Sequence, residues 1–173
     1  MASTSPYLPL SASIDLPKIE HEVLDFWQTQ DIFHSSVQMR QGGESWTFYE
    51  GPPTANGLPG THHIEARVFK DVFPRYQTMK GKYVIRKAGW DCHGLPVEIA
   101  VEKELGFSGK GDIEKFGIAA FNEKCRQSVQ RHVGAFTEMT ERMGFWVDFD
   151  QAYWTMAPEY VESVWWSLKE IWK

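Results

Sequence analysis

Residues 46–63 read WTFYEGPPTANGLPGTHH, and residues 82–96 read KYVIRKAGWDCHGLP. Trp46 to Tyr49 is aromatic and β-prone, which predicts a short buried strand. The run GPPTANGLPG that follows, residues 51–60, holds three Gly and three Pro, so it excludes a regular element and sets a shaped loop. Ile64, Val68, Val72, Tyr76 and Met79 then recur at helical spacing, with Pro74 expected to kink or divide the helix. The same order repeats at once. KYVIRK is a second strand candidate, Ala88 to Pro96 a second glycine-containing loop, and Val97 to Leu105 a short helix. Strand, loop, helix twice over describes an α/β protein, the first half of a doubly wound, Rossmann-like parallel sheet with added helices.

Upstream of this unit, a Ser/Pro-rich start leads to Asp15 and Pro17, which read as a cap and first helical turn. Ile19, Val23, Phe26 and Trp27 form one apolar face of that packing helix, and residues 41–44 form a turn. Downstream, Asp112 is a candidate cap, and Ile118, Phe121, Cys125, Val129, Val133, Phe136 and Met143 make a long core stripe ending at Gly144. Phe145, Val147 and Phe149 alternate, and Pro158 opens a last helix with Val161, Val164, Trp165, Leu168, Ile171 and Trp172 on its apolar side. That pattern meets no Gly or Asn before Lys173, so the chain is expected to end inside an element.

With 173 residues, 42% hydrophobic and 24% charged, the chain suits one globular domain rather than intrinsic disorder. Eight Trp and eleven Phe exceed what one small core needs, which points some aromatics at a site or an interface. A net charge of -5 argues against holding nucleic acid by bulk charge. Between residues 65 and 87, however, seven basic residues (Arg67, Lys70, Arg75, Lys80, Lys82, Arg86, Lys87) face two acidic ones, which fits either a nearby polyanion or a solvated basic face. Cys92 and Cys125 form no CxxC pair, so neither a disulfide framework nor a structural zinc site is expected, and two free thiols fit a cytoplasmic protein. Residues 1–17 carry no basic residue and no continuous apolar run, unlike a targeting peptide, and no stretch has membrane-spanning length.

A loop between a strand's carboxyl end and a helix's amino end binds phosphates, because free backbone N–H groups and the helix dipole favour anions. Gly60, Thr61, His62 and His63 sit there. Adjacent imidazoles could donate to phosphate oxygens and add partial positive charge near neutral pH; two exposed His at a helix cap is the plain alternative. The spacing matches neither the Walker loop nor GxGxxG. Asp91, in the second loop, could hold a ligand's ammonium group or could cap the following helix. Cys92 and His93 are a weak nucleophile pair, since sequence neighbours point apart.

These motifs together, FYEGPPTANGLPG with HH, KGKYVIRKAGWDCHGLPVE, FGIAAFNEKCRQSV and WVDF, closely resemble the bacterial-type isoleucyl-tRNA synthetases, which are class I enzymes. The resemblance covers nearly the whole chain. It implies residues 1–45 as a helical extension and 46–173 as the N-terminal part of the catalytic domain. It also implies a cytoplasmic isoleucine–tRNA ligase that activates isoleucine with ATP and magnesium, transfers it to tRNA(Ile), and clears misactivated valine in a separate inserted domain. Zinc would belong to parts beyond this chain. Carried over, Gly51 and Pro52 border the isoleucine side chain, Asp91 takes its ammonium group, Thr54 and Asn56 lie beside the nucleotide, and Gly60, Thr61, His62 and His63 face ATP with the two imidazoles as the catalytic groups. The family's second ATP-gripping loop, Lys-Met-Ser-Lys-Ser, does not occur in these residues, so this segment alone is expected to be inactive.

One departure falls on the family's His-x-Gly-His signature, which here reads Gly60-Thr61-His62-His63, with the first His and the Gly exchanged. A compensated swap predicts retained activity and, because mupirocin competes for the same pocket in this family, resistance to it. The alternative is a paralogue that binds isoleucine, adenylate or tRNA without activating anything.

Overall fold

The computed structural model describes residues 13–173; the Ser/Pro-rich opening, residues 1–12, lies outside them. The chain divides into two compact units, Met1–Ile32 and Phe33–Lys173.

In the first unit, α1 (Leu16–Thr29) starts as its sequence dictates. Asp15 adopts an extended backbone and its carboxylate accepts from the Lys18 amide at 3.1 Å, while Pro17 fills a first-turn position whose missing N–H is no loss. The expected apolar face forms, with Ile19, Val23 and Phe26 on it 47, 39 and 56% exposed and Trp27 half-buried.

In the second unit, α2 (Ile32–Gln38) and an irregular stretch precede α3 (Thr61–Met79), β1 (Lys87–Trp90), α4 (Leu95–Leu105), α5 (Lys110–Phe116), α6 (Ile118–Arg142), β2 (Asp148–Trp154) and α7 (Pro158–Trp172). β1 and β2 are parallel, pairing Lys87 with Asp148 and Trp90 with Trp154 across a bulge. Two isolated parallel bridges, Ser45 to Tyr83 and Thr54 to Asp91, lay the 45–54 segment along the other side of the 83–91 line. Three parallel chain segments with intervening helices are the α/β arrangement expected.

The details differ from the sequence in instructive ways. Trp46–Tyr49 is extended but not a strand, and the second strand runs over Lys87–Trp90 rather than over KYVIRK. Residues 82–86 are extended with alternating burial, yet the ladder begins only where β2 arrives, the Asp148 amide donating to the Arg86 carbonyl at 2.7 Å. Pro74 does not divide α3; its ring is among the fully buried side chains, and that burial offsets one missing backbone bond. The long stripe lies on one helix, α6, with Met143 as its C-cap; Gly117 at φ 100° separates it from the short α5, and Ile118 at its start is 64% exposed. Asp112 is not the cap residue of α5. It sits inside the first turn and accepts from the Ser108 amide and hydroxyl, each at 2.9 Å.

The core gathers beneath the two sequence loops: Ala55, Trp90, Cys92 and Val97 pack with Val129 and Phe136 of α6. Most of the basic run is turned inward. Arg67 donates to Thr140 at 2.9 Å, and Lys70, Arg75 and Lys82 pair with Glu50, Asp71 and Glu44 at 2.6, 2.6 and 2.8 Å. Arg86 is 1% exposed between Phe33 and Trp146, with Asp71 at 3.7 Å. Arg67, Lys70, Arg75 and Arg86 are therefore internal pins rather than a continuous basic surface, while Lys80 and Lys87 stay exposed. Among the described residues no helix is long and apolar enough to cross a membrane.

Candidate functional site

Two loops distant in sequence meet at one edge of the sheet. The Asp91 amide donates to the Pro53 carbonyl at 3.0 Å, and the Thr54 hydroxyl donates to Asp91 Oδ2 at 2.7 Å. Among the described residues the other carboxylate oxygen, Oδ1, has the Thr155 hydroxyl near it, at 3.5 Å, which leaves it open to a further donor. Asp91 is not a helix cap, since Gly94 holds that position before α4. Asn56 donates to the Pro96 carbonyl at 3.3 Å, tying the glycine/proline loop to the start of α4. Gly51 and Pro52 lie at the surface immediately upstream.

Gly60, Thr61, His62 and His63 form the N-terminus of α3. The Gly60 amide donates to His63 Nδ1 at 2.9 Å, half of a capping box that glycine has no side chain to complete. That bond fixes the tautomer inferred from the network: Nδ1 accepts, so Nε2 carries the proton and points outward as a donor. Burial holds the His63 pKa below its ordinary value, helped by the His62 and Arg67 charges. His63 is therefore a neutral hydrogen-bond donor at neutral pH, which corrects the expectation of partial positive charge from it. Its ring meets the edge of Phe136 at 4.8 Å and lies 3.9 Å from the His62 ring. The amides of Thr61 and His62, first in the helix, are the backbone donors that remain for an anion.

The histidine group and the Asp91 group stand apart: among the described residues no hydrogen bond or ring contact joins them. Cys92 is buried with its thiol donating to the Trp90 carbonyl at 3.2 Å, and burial raises its pKa, so the Cys92–His93 pair is not a nucleophile.

Four residues here were not anticipated. Thr155 accepts from the Cys92 amide at 2.9 Å beside Asp91, and Tyr153 donates to the Glu50 carbonyl at 2.6 Å. Lys70 bonds Glu50 Oε1 and the Gly51 carbonyl. Only Glu50, adjacent to Gly51, carried a local signal; the others reach the site through the fold.

The family model described as tRNA synthetases class I (I, L, M and V) matches residues 22–173. The chain belongs to this class I synthetase family. It is 69% identical to the isoleucine–tRNA ligase of Thermobifida fusca over 98% of its length, and 54% identical to that of Thermus thermophilus over 91%. Its fold is similar to that of LeuRS from Agrobacterium radiobacter K84, solved in a ternary complex with tRNA and LeuAMS, with a TM-score of 0.58 and 21% identity over 91% of this chain. The chain spans 16% and 15% of those two ligases' lengths and 18% of the LeuRS chain. In synthetase terms, it supplies a first loop and helix and a second loop on one sheet edge.

Proposed function

We propose that the complete protein carrying this chain is an isoleucine–tRNA ligase, which joins isoleucine to ATP as isoleucyl-adenylate and passes it to tRNA(Ile). The observation that supports this most is the Thr54–Asp91 bond at 2.7 Å, which joins the glycine/proline loop and the GWDCHG loop, 37 residues apart in sequence. Asp91 Oδ1 takes the isoleucine ammonium, with Thr54 holding Oδ2 so that the carboxylate faces one way. Gly51 and Pro52 border the isoleucine side chain. Thr54 and Asn56 shape the nucleotide side through the loop backbone, because their side chains are spent on Asp91 and α4. His62, His63 Nε2–H and the first amides of α3 face the phosphates across Gly60 and Thr61.

The isoleucine carboxylate attacks the α-phosphorus in line and pyrophosphate leaves, so the chain's contribution is alignment and stabilisation of developing charge, with no covalent enzyme intermediate. A neutral donor at His63 serves that step without holding the ground-state phosphates by charge. Magnesium would travel with the nucleotide. In this reading the catalytic half begins near residue 46 and the residues before it are an extension.

Isoleucine-dependent ATP–pyrophosphate exchange by the complete reading frame, with valine and leucine as controls, tests the proposal. Exchange favouring isoleucine is expected. Folded protein that binds isoleucine without exchange would replace it with a non-activating paralogue.

A further inference from the structure

Glu50 stands immediately before the Gly51–Pro52 rim and is held from two directions. Lys70, on α3, donates to Glu50 Oε1 at 2.6 Å and to the Gly51 carbonyl at 2.5 Å. Tyr153, on β2, donates to the Glu50 carbonyl at 2.6 Å, and its ring lies so close over Gly89 that any β-carbon there would overlap it. The Glu50 side chain is 4% exposed, and its second oxygen, Oε2, is buried with no hydrogen-bond partner. Ion pairs this deep are weak stabilisers, since desolvation consumes the Coulombic gain and apolar residues of similar volume would serve as well. What such a pair supplies is a fixed geometry.

The elements it joins give that geometry a use. Lys70 follows His63 and Arg67 at spacings of seven and three residues, so all three lie along one side of α3. The helix that carries the histidines at its N-terminus is thus tied, through one ammonium group, to the backbone of the rim. We infer that Lys70 and Glu50 are a positioning pair that sets the amino-acid rim against the nucleotide-facing end of α3. The inference rests on the reading of Gly51 and Pro52 as the amino-acid rim. Neither residue touches the reacting atoms; a displacement of order 1 Å at the rim is enough to lower the rate by about 100-fold.

The test uses the complete protein with Lys70→Met, Glu50→Gln, Lys70→Arg and Tyr153→Phe. Lys70→Met and Glu50→Gln are expected to raise the isoleucine KM in pyrophosphate exchange by about tenfold or more while the ATP KM stays within about twofold, and Lys70→Arg recovers most of the loss. A general structural role would lower the melting temperature and leave the isoleucine KM unchanged, which would overturn the inference. If Lys70→Met does not fold, Tyr153→Phe is read the same way, an unchanged isoleucine KM counting against the pair. Hydrogen exchange across residues 50–57 reads the clamp without any substrate: faster exchange in Lys70→Met or Tyr153→Phe supports it, and unaltered exchange overturns it. A parent protein with no isoleucine-dependent exchange would sink the functional reading and leave that second measurement to decide the pair by itself.

Discussion

The exchanged signature makes a prediction whose size follows from the structure. A β-carbon built on Gly60 would lie 3.0 Å from His62 Cε1 and 3.1 Å from His62 Nδ1, closer than the ordinary carbon contact of about 3.5–4.0 Å. The other close neighbour is His63 Nδ1 at 4.0 Å, which is ordinary contact, so the obstacle is the His62 ring alone. Gly60→His therefore crowds the His62 ring, which is exposed and must give way for the new side chain to fit. Overpacking of this kind costs about 1–3 kcal/mol. If the cost falls on the activated geometry, it lowers the exchange kcat/KM by about 5- to 150-fold. The double change Gly60→His with His62→Gly restores the family order, removes the obstructing ring, and is expected within about threefold of the parent. The assay is isoleucine-dependent ATP–pyrophosphate exchange on the parent, both single changes and the double. Full activity in Gly60→His alone would refute the argument, since it would mean that the two rings do not compete for one place. Equal losses in the single and the double would refute it too.

Four further outcomes follow. Asp91→Asn removes the charge offered to the ammonium and is expected to raise the isoleucine KM by about tenfold or more, as for a charge-assisted bond worth about 1.5–3 kcal/mol, with the ATP KM little changed in steady-state exchange. Because burial lowers the His63 pKa below its ordinary 6.5, the unfolded chain takes up a proton that the folded chain refuses; stability is full above that pH and declines as pH falls through it, and thermal unfolding at about pH 7.5 and 5.5 should show a smaller decline in His63→Asn. Asp71→Asn strips the carboxylate from Arg86, which is 1% exposed and whose pKa burial pulls down to about 10, so denaturant unfolding should show a loss of about 3 kcal/mol, part of it recovered when Arg86→Met is added. The exchanged signature also predicts resistance to mupirocin, and inhibition of exchange at the potency usual for the family would contradict it.

The sequence made legible what depends on neighbours along the chain. Asp15, Pro17 and Pro158 mark helix starts because capping and a fixed φ are local effects. The two loops declared themselves because glycine and proline restrict the backbone whatever lies around them. What depends on partners did not show. The first expected strand has only isolated bridges, and the second waits for β2 before its ladder begins, because a strand is defined by its neighbour. The basic run between residues 65 and 87 suggested a surface, yet Arg67, Lys70, Arg75 and Arg86 each found an internal acceptor on the far side of the fold or one turn away. Within the candidate site, Asp91 and the two His could be singled out from their loops and Gly51 through the resemblance, whereas Thr155, Tyr153 and Lys70 could not. Their spacings of 64, 103 and 20 residues from Asp91 and Glu50 carry no periodic signal.

The exchanged signature shows how order along a chain and order in space can part. Side chains of an α-helix lean toward its N-terminus, so a residue in the first turn covers the space above the cap residue rather than above itself. His62 is the second residue of α3 and Gly60 its cap. The His62 ring accordingly lies back over Gly60, within 3.0–3.1 Å of the point where a side chain at position 60 would begin. An imidazole moved two positions along the sequence thus returns to nearly the same place, provided that the position it covers has no side chain of its own. The glycine at 60 leaves room for the His62 ring in this position, and His63 is undisturbed because its Nδ1 takes the backbone N–H of residue 60, which every residue but proline supplies. With His62→Gly removing the ring that a new side chain would meet, Gly60→His keeps that donor and Gly60→Pro deletes it. Loss of activity in Gly60→Pro/His62→Gly together with retention in Gly60→His/His62→Gly would therefore separate the two roles of this one residue, as the donor that orients one imidazole and the space that admits the other.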